Sequence, residues 1–169
     1  VTVSTNGLDW ETVPVNRAVV GVSEEFSDQW YFQPFAFVND RFLANYEVFG
    51  PIGESGLLYS TNGLDWQRAE VIPSEIWGPS RVASAAYGNG IYLGVFEGNP
   101  PEILRSTDGV HWAPVPLALP FHVNVTSIAF GNGRFVVGGY RSFFPPHHTL
   151  MHSTDGVTWP GIDTAGTNS

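Results

Sequence analysis

A phrase of eight residues occurs four times in the chain, and this repeat constrains the fold more than any other feature of the sequence. The phrase reads VSTNGLDW from Val3 to Trp10, YSTNGLDW from Tyr59 to Trp66, RSTDGVHW from Arg105 to Trp112 and HSTDGVTW from His152 to Trp159. Its four tryptophans follow one another at intervals of 56, 46 and 47 residues. Intervals of this size predict a repeat architecture in which each repeat is one structural unit.

A second phrase lies between the first ones and indicates β-hairpins. It reads AFVNDRF from Ala36, AYGNGIY from Ala86 and AFGNGRF from Ala129. Asn-Gly is a strong hairpin signal because a type I′ turn needs positive φ at both central residues. Each repeat therefore reads as four short strands, and no stretch shows the helical period of 3.6 residues. Four-stranded repeats of this length are typical of the blades of a β-propeller.

We expect one all-β domain over residues 1–169, a partial β-propeller with about three and a half blades of four antiparallel strands. The half blade covers residues 1–13, and the complete blades cover residues 30–71, 81–115 and 123–162. Propellers usually have four to eight blades, and an open ring exposes unpaired strand edges. We therefore expect another protein chain or further blades to complete the ring. The chain begins at Val1 inside a repeat, which favours a trimmed product or a piece of a longer protein.

The composition excludes several classes of partner. The net charge is −9, and all seven basic residues are arginines. Nucleic acid needs clustered positive charge, so we expect no nucleic-acid partner. The apolar runs are much shorter than the roughly 20 residues of a membrane-spanning helix, so we expect no direct membrane span. The chain has no cysteine, which excludes disulfides and thiol ligands, and no cofactor is expected.

The Ser-Thr-Asx-Gly phrase is interpreted as a structural turn rather than an active site. Asp or Asn can bond its own turn backbone, glycine takes a positive φ without steric cost, and tryptophan supplies a large apolar face. The exchange of Asn for Asp between repeats suits a turn but not a general acid or a metal ligand. The predicted structural residues are Asn6, Asn62, Asp108, Asp155, Trp10, Trp66, Trp112 and Trp159.

The phrase resembles a shortened Asp-box, the Ser-x-Asp-x-Gly-x-x-x-Trp turn of sialidase-like propellers with BNR-type repeats. Here the spacing from Asx to Gly is one residue rather than two. Together with AFGNGRFVVGG, it is similar to the repeats of bacterial secreted and envelope propellers. The resemblance implies a propeller at an extracellular, periplasmic or cell-envelope location. It says little about function, because Asp-boxes occur in enzymes, lectins and assembly factors, in which ligands usually meet the face opposite the boxes.

The loops opposite the repeated turns differ between repeats and are rich in proline and aromatic residues. We predict that they bind the ligand or partner, because a few aromatic or arginine side chains usually carry most of the binding energy. The alternative is that the aromatic residues pack under their own loops and that the arginines pair with Glu24, Glu75 or Glu97. The predicted binding residues are Arg17, Trp30, Tyr31, Trp77, Arg81, Arg141, Phe143, Phe144, His147 and His148.

Two functions remain open. The leading hypothesis is a non-catalytic interaction or scaffold module of a secreted or envelope protein or of a multi-subunit assembly. The alternative is a carbohydrate-active domain, either a lectin or a glycosidase of the sialidase-like type. Convergent carboxylates at the loop face would favour an enzyme, exposed aromatic residues beside polar groups a lectin, and a broad apolar patch an assembly module.

No catalytic or metal-binding residue is assigned from the sequence. Sialidase chemistry needs a tyrosine paired with a glutamate, and no such pair can be assigned. A glycosidase needs two carboxylates at a defined separation, and nothing singles out a pair among Glu24, Glu25, Asp28 and Glu54. The three nearby histidines have no acidic or cysteine companion at ligand spacing, and one of them occupies a variable repeat position; they are His147, His148 and His152.

Overall fold

The computed structural model describes residues 1–20, 30–49, 54–71, 81–97, 101–115, 123–141 and 148–163. Apart from a short 3-10 helix at Arg17–Val20, the regular elements in this part of the chain are β-strands. They form three sheets, each built on four antiparallel strands in chain order, and a separate two-stranded hairpin; the second sheet has a fifth strand that is added in parallel at its edge. This arrangement confirms the predicted partial β-propeller. No helix among the described residues is long and apolar enough to cross a membrane.

The strands follow the repeats of the sequence. The N-terminal hairpin consists of β1 (Thr2–Val3) and β2 (Glu11–Thr12). The first blade contains β3 (Trp30–Val38), β4 (Arg41–Val48), β5 (Glu54–Ser60) and β6 (Gln67–Arg68). After β7 (Glu70–Val71), the second blade contains β8 (Arg81–Gly88), β9 (Ile91–Glu97), β10 (Glu102–Ser106) and β11 (His111–Pro114). The third blade contains β12 (Val123–Gly131), β13 (Arg134–Arg141), β14 (His148–Ser153) and β15 (Gly161–Asp163).

The hairpins between the first two strands of each blade have the backbone that their sequences predict. Asn89 and Gly90 have φ of 50° and 80°, and Asn132 and Gly133 have φ of 48° and 72°. Positive φ at both central residues matches the right-handed twist of the flanking strands. In the first blade the non-glycine pair Asn39-Asp40 adopts the same conformation, with φ of 46° and 59°.

The four repeated turns, called box turns from here on, share one hydrogen-bond pattern over residues 4–9, 60–65, 106–111 and 153–158. The serine Oγ accepts the N–H of the glycine three residues on, at 2.8 or 2.9 Å. The Asx Oδ1 accepts the N–H groups two and three residues beyond it, also at 2.8 or 2.9 Å. The serine hydroxyl in turn donates to that same Oδ1. The repeated polar residues are therefore occupied with holding the turn.

The hydrophobic core lies between the blades. Between the first and second blades, Leu43 and Leu57 pack in one cluster with Val82, Leu104 and Trp112. Each fully buried side chain of this kind contributes about 1.5–3 kcal/mol to folding. A second cluster joins the second and third blades, and a third lies on the N-terminal side of the first blade. The first and second blades thus bury apolar side chains on both faces of their sheets, which explains the high apolar content of their strands.

Strand β7 makes a connection that the sequence did not indicate. It leaves the first blade and pairs in parallel with β11, the outer strand of the second blade, with Glu70 opposite His111 and Val71 opposite Trp112. The Glu70 N–H also donates to the Val110 carbonyl at 2.8 Å. The outer rim of the first two blades is therefore joined by backbone hydrogen bonds as well as by side-chain packing.

Candidate functional site

The ends of the strands opposite the box turns form what we call the loop edge, where β3, β5, β8, β10, β12 and β14 begin and where β4, β9 and β13 end. The register places these ends side by side. Trp30 pairs with Val48, which also pairs with Glu54, and Arg81 pairs with Glu97. The loop edge is the part of the fold in which the sequence predicts a binding surface.

A cleft of about 330 Å³ opens at the loop edge between the first and second blades. The first blade contributes side chains from β3, β4 and β5, and the second blade contributes the first residue of β8 and the last residue of β9. The lining combines an aromatic ring, two carboxylates, a guanidinium, an amide and a hydroxyl with one residue, Tyr46, whose ring packs in the core cluster on the N-terminal side of the first blade; the residues are Tyr31, Glu47, Glu97, Arg81, Asn45, Ser55 and Tyr46.

Asn45 fixes the two walls of the cleft relative to each other. It is buried on β4, and its side-chain amide donates to the Val82 carbonyl at 2.9 Å. Its Oδ1 accepts the Val82 N–H, also at 2.9 Å. The Asn45 side chain thus bonds to both backbone groups of Val82, as a neighbouring strand would, and so joins the sheets of the first and second blades. Because buried polar groups are costly when left unbonded, this reciprocal pair gives the cleft a defined width.

Arg81 and Glu97 form an ion pair on the wall supplied by the second blade. Arg81 Nε lies 2.7 Å from Glu97 Oε2, and the two residues are direct cross-strand neighbours. The hydrogen bond to Glu97 raises the pKa of Arg81, and the negative charge of Glu47 on the opposite wall acts in the same direction. Both partners are largely exposed, so the pair adds little to stability and can meet a ligand.

The two tyrosines of the cleft differ in their environment. Tyr31 is 45% exposed, whereas Tyr46 is buried and only 3% exposed. The Tyr46 hydroxyl donates to Glu54 Oε1 at 3.2 Å and accepts a hydrogen bond from Arg68, whose guanidinium lies 5.0 Å from the centre of the tyrosine ring. The structure thus contains a tyrosine–glutamate pair where the sequence allowed none to be assigned. The Tyr46 ring is held in the core cluster on the N-terminal side of the first blade, and Tyr31 is the ring available to a ligand.

The structure brings two of the predicted binding residues, Tyr31 and Arg81, into the cleft. Trp30 is half-buried and packs in the cluster on the N-terminal side of the first blade, with its ring centre 6.0 Å from that of Phe32. The backbones of Arg141 and His148 lie at the loop edge of the third blade, and that of Arg17 lies in the 3-10 helix. The other predicted residues lie outside the described part of the chain: Trp77, Phe143, Phe144 and His147.

Sequence reasoning missed most of the cleft, although one signal for it was present. Glu47 and Glu97 occupy the same position of the repeat, each eleven residues after the alanine of the second phrase. Aligning the repeats by that alanine therefore places both carboxylates at the end of the same strand in consecutive blades. Asn45 and Ser55 carried no comparable signal, because their role depends on the adjacent blade or loop rather than on their own repeat.

The carboxylates of the box turns accept hydrogen bonds from the turn backbone. The backbone N–H groups of His111 and Val110 and the His111 side chain hold the pKa of Asp108 well below its usual range. The backbone N–H groups of Thr158 and Val157 do the same for the pKa of Asp155. Among the described residues, no group of three or more acidic or histidine side chains could hold a metal ion. The box-turn carboxylates therefore have a structural role, which is to hold the turn.

No protein-family model matches the sequence, and a search of curated proteins returns no match. Among solved structures, the chain is similar to the GH32 beta-fructofuranosidase of Bombyx mori, with 17% identity over 80% of this chain and a TM-score of 0.50. It is also similar to a family 117 glycoside hydrolase of the marine bacterium Zobellia galactanivorans, with 10% identity over 84% of this chain and a TM-score of 0.54. The chain spans 34% of the first protein and 58% of the second. At these identities the likeness shows the fold, a β-propeller, and no more.

Proposed function

We propose that this chain is a carbohydrate-active β-propeller module that holds a short glycan in the cleft between its first two blades. The observation that carries this proposal is the lining of the cleft, in which the exposed Tyr31 ring stands near the Arg81–Glu97 pair and Glu47. A sugar ring has an apolar C–H face and a rim of hydroxyl groups. An aromatic ring beside carboxylates and a guanidinium therefore matches both parts of a sugar.

The arrangement of the carboxylates favours recognition over hydrolysis. A glycosidase of the usual kind needs two carboxyl groups that flank the scissile bond, one of which holds a proton. Of the two carboxylates that line the cleft, Glu97 is held by Arg81 on its own wall, with 2.7 Å between Arg81 Nε and Glu97 Oε2. We therefore assign Glu97 and Arg81 to hydrogen bonding with sugar hydroxyls and Tyr31 to stacking on the ring.

Of the two functions that the sequence predicts, the carbohydrate-active alternative has the better support. The two solved structures described above are glycoside hydrolases by name, and their likeness in fold makes carbohydrate the ligand class to test first. The leading hypothesis, an assembly module, gains no support from these comparisons. Membership of the Asp-box-like propellers and an extracellular, periplasmic or cell-envelope location are further parts of this proposal.

The proposal is tested by applying the purified chain to an array of neutral and acidic oligosaccharides and measuring the best binder by isothermal titration calorimetry. We expect Tyr31→Ala to weaken binding about tenfold or more, because stacking energy and ring contact area are lost together. Arg81→Gln should weaken it as well and leave Glu97 without its partner. Incubation with the same oligosaccharide, followed by an assay for newly formed reducing ends, separates binding from hydrolysis.

Tyr140 provides a matched control because it is also 45% exposed but lies on the third blade, away from the cleft. Tyr140→Ala should bind the oligosaccharide as tightly as the unmodified chain. Equal losses from the two substitutions, or a Tyr31→Ala variant that binds normally, would place the site elsewhere. Absence of any bound oligosaccharide on the array would overturn the proposed function itself.

A further inference from the structure

One face of the third blade carries apolar side chains that remain exposed. Val136 is 36% exposed, Leu150 is 41% exposed and Tyr140 is 45% exposed. They lie on β13 and β14, the two middle strands of the four-stranded sheet, where a propeller blade normally contacts its neighbour. We call this surface the open face, defined by Val136, Tyr140 and Leu150.

The positions that match Val136 and Leu150 are buried in the other two blades. Val136 pairs with the alanine of the second phrase, as Leu43 and Leu93 do in their own blades, and both leucines are 0% exposed. The positions of the repeat that match Leu150 hold Leu57 and Ile103, which are 2% and 0% exposed. In each case the side chains are covered by the blade that follows. The open face is therefore an interblade surface without its following blade among the described residues.

The two existing interfaces show how a following blade docks on such a face. Its box turn sits against the β-hairpin that opens the preceding blade. A methyl group added at Gly109 would lie 2.7 Å from the Arg41 side chain, and one at Gly156 would lie 2.7 Å from that of Ile91. In addition, the Asn89 side-chain amide donates to the Thr154 carbonyl in the next box turn at 2.9 Å.

The N-terminal hairpin presents a box turn that has no such neighbour. A methyl group at Gly7 would meet no atom within 4 Å, and Trp10 is 63% exposed. The matching tryptophans of the first and second blades, Trp66 and Trp112, are 4% and 1% exposed. The described residues thus include an uncovered face on the third blade and an uncovered box turn in the N-terminal hairpin.

We infer that a second copy of this chain docks head to tail, with its N-terminal box turn seated on the β12–β13 hairpin and open face of the first copy. By equivalence with Asn89, Asn132 would donate to the Thr5 carbonyl of the second copy. Such a contact is heterologous, since it joins two different surfaces, and it can be extended into a ring or a longer array. It covers apolar side chains that a single copy leaves exposed.

The experiment is light scattering coupled to size exclusion over a range of protein concentrations, at about 0.15 M salt because the copies carry like charge. We expect a mass that rises with concentration above the 18.5 kDa of one copy. Val136→Asp, on the open face, and Trp10→Asp, on the box turn, should each weaken association at least tenfold. Trp10 is so exposed that its substitution leaves the cores between the blades intact.

Mixing distinguishes this contact from other modes of association. The Val136→Asp variant keeps its box turn and the Trp10→Asp variant keeps its open face, so an equimolar mixture should form a complex of two copies and no larger species. Val157→Asp is the matched control, because Val157 is 47% exposed and belongs to the box turn at the other side of the same blade. A single-copy mass at every concentration, a folded Val136→Asp variant that still associates, or a mixture that stays monomeric would each overturn the inference.

Discussion

Ser106→Ala tests whether burial of the box turn makes its hydrogen bonds important for stability. Ser106 is 2% exposed, and its Oγ accepts the Gly109 N–H at 2.8 Å and donates to Asp108 Oδ1 at 3.0 Å. Alanine removes the acceptor and leaves the buried Gly109 N–H without a partner. A buried donor left unbonded costs about 1–3 kcal/mol, so we expect a loss of about 2 kcal/mol in the free energy of unfolding.

The N-terminal box turn provides the control within the same molecule. Ser4 makes the same bonds, accepting the Gly7 N–H at 2.8 Å and donating to Asn6 Oδ1 at 3.1 Å. Its turn is exposed, so water can replace the lost hydroxyl, and Ser4→Ala should change stability by less than about 0.5 kcal/mol. The difference between the two variants therefore isolates the effect of burial.

The assay is equilibrium unfolding in urea, followed by tryptophan fluorescence and far-UV circular dichroism, with thermal unfolding as a second measurement. A loss of about 2 kcal/mol lowers the melting temperature of a chain of this size by about 4–8 °C. Equal effects of the two substitutions would refute the reasoning, since burial would then not determine the cost. A Ser106→Ala variant as stable as the unmodified chain would refute it as well.

Two further predictions concern the contacts between the first two blades. Asn45→Ala leaves the N–H and the carbonyl of Val82 unbonded and should cost about 2–3 kcal/mol in urea unfolding; an unchanged midpoint would show that water replaces the amide. Hydrogen bonding to Asp108 and, at longer range, the charge of Glu70 raise the pKa of His111. Protonation of His111 therefore stabilises the fold below its ordinary pKa of about 6.5, and this contribution is lost as pH rises through the raised value. The melting-temperature difference between the unmodified chain and His111→Gln should be larger at about pH 5.5 than at about pH 8.5; a difference independent of pH would contradict this.

Much of the fold could be predicted because the information is local and repeated. Each Asn-Gly pair specifies its own hairpin, and each box turn supplies its own hydrogen bonds, so neither depends on distant parts of the chain. The parallel pairing of Glu70–Val71 with β11 had no such signal. Two residues form that strand, and their partner becomes available only once the next blade is in place.

The candidate site was less predictable for a related reason. Tyr31 and Arg81, which line the cleft, were predicted as binding residues because aromatic and arginine side chains at irregular loop ends suggest binding. In the sequence, Asn45 is only a polar residue within an apolar strand. Its role in joining the two blades becomes clear from its two hydrogen bonds to Val82 in the next blade. A cleft between two repeats consists of residues that are distant in sequence, so the pattern within one repeat cannot specify it.

The strand β7 also affects the order in which the blades can unfold. In repeat proteins each unit is stabilised mainly by its neighbours, so units can unfold one at a time. Here the Glu70 N–H is bonded to the Val110 carbonyl, so the chain that leaves the first blade is bonded into the edge of the second. Local unfolding of the second blade must therefore release residues 70–71 of the connection before it. In hydrogen exchange, the amide of Glu70 would exchange together with the second blade, and the first two blades would behave as one cooperative unit. Among the described residues, the third blade contacts the second through side chains.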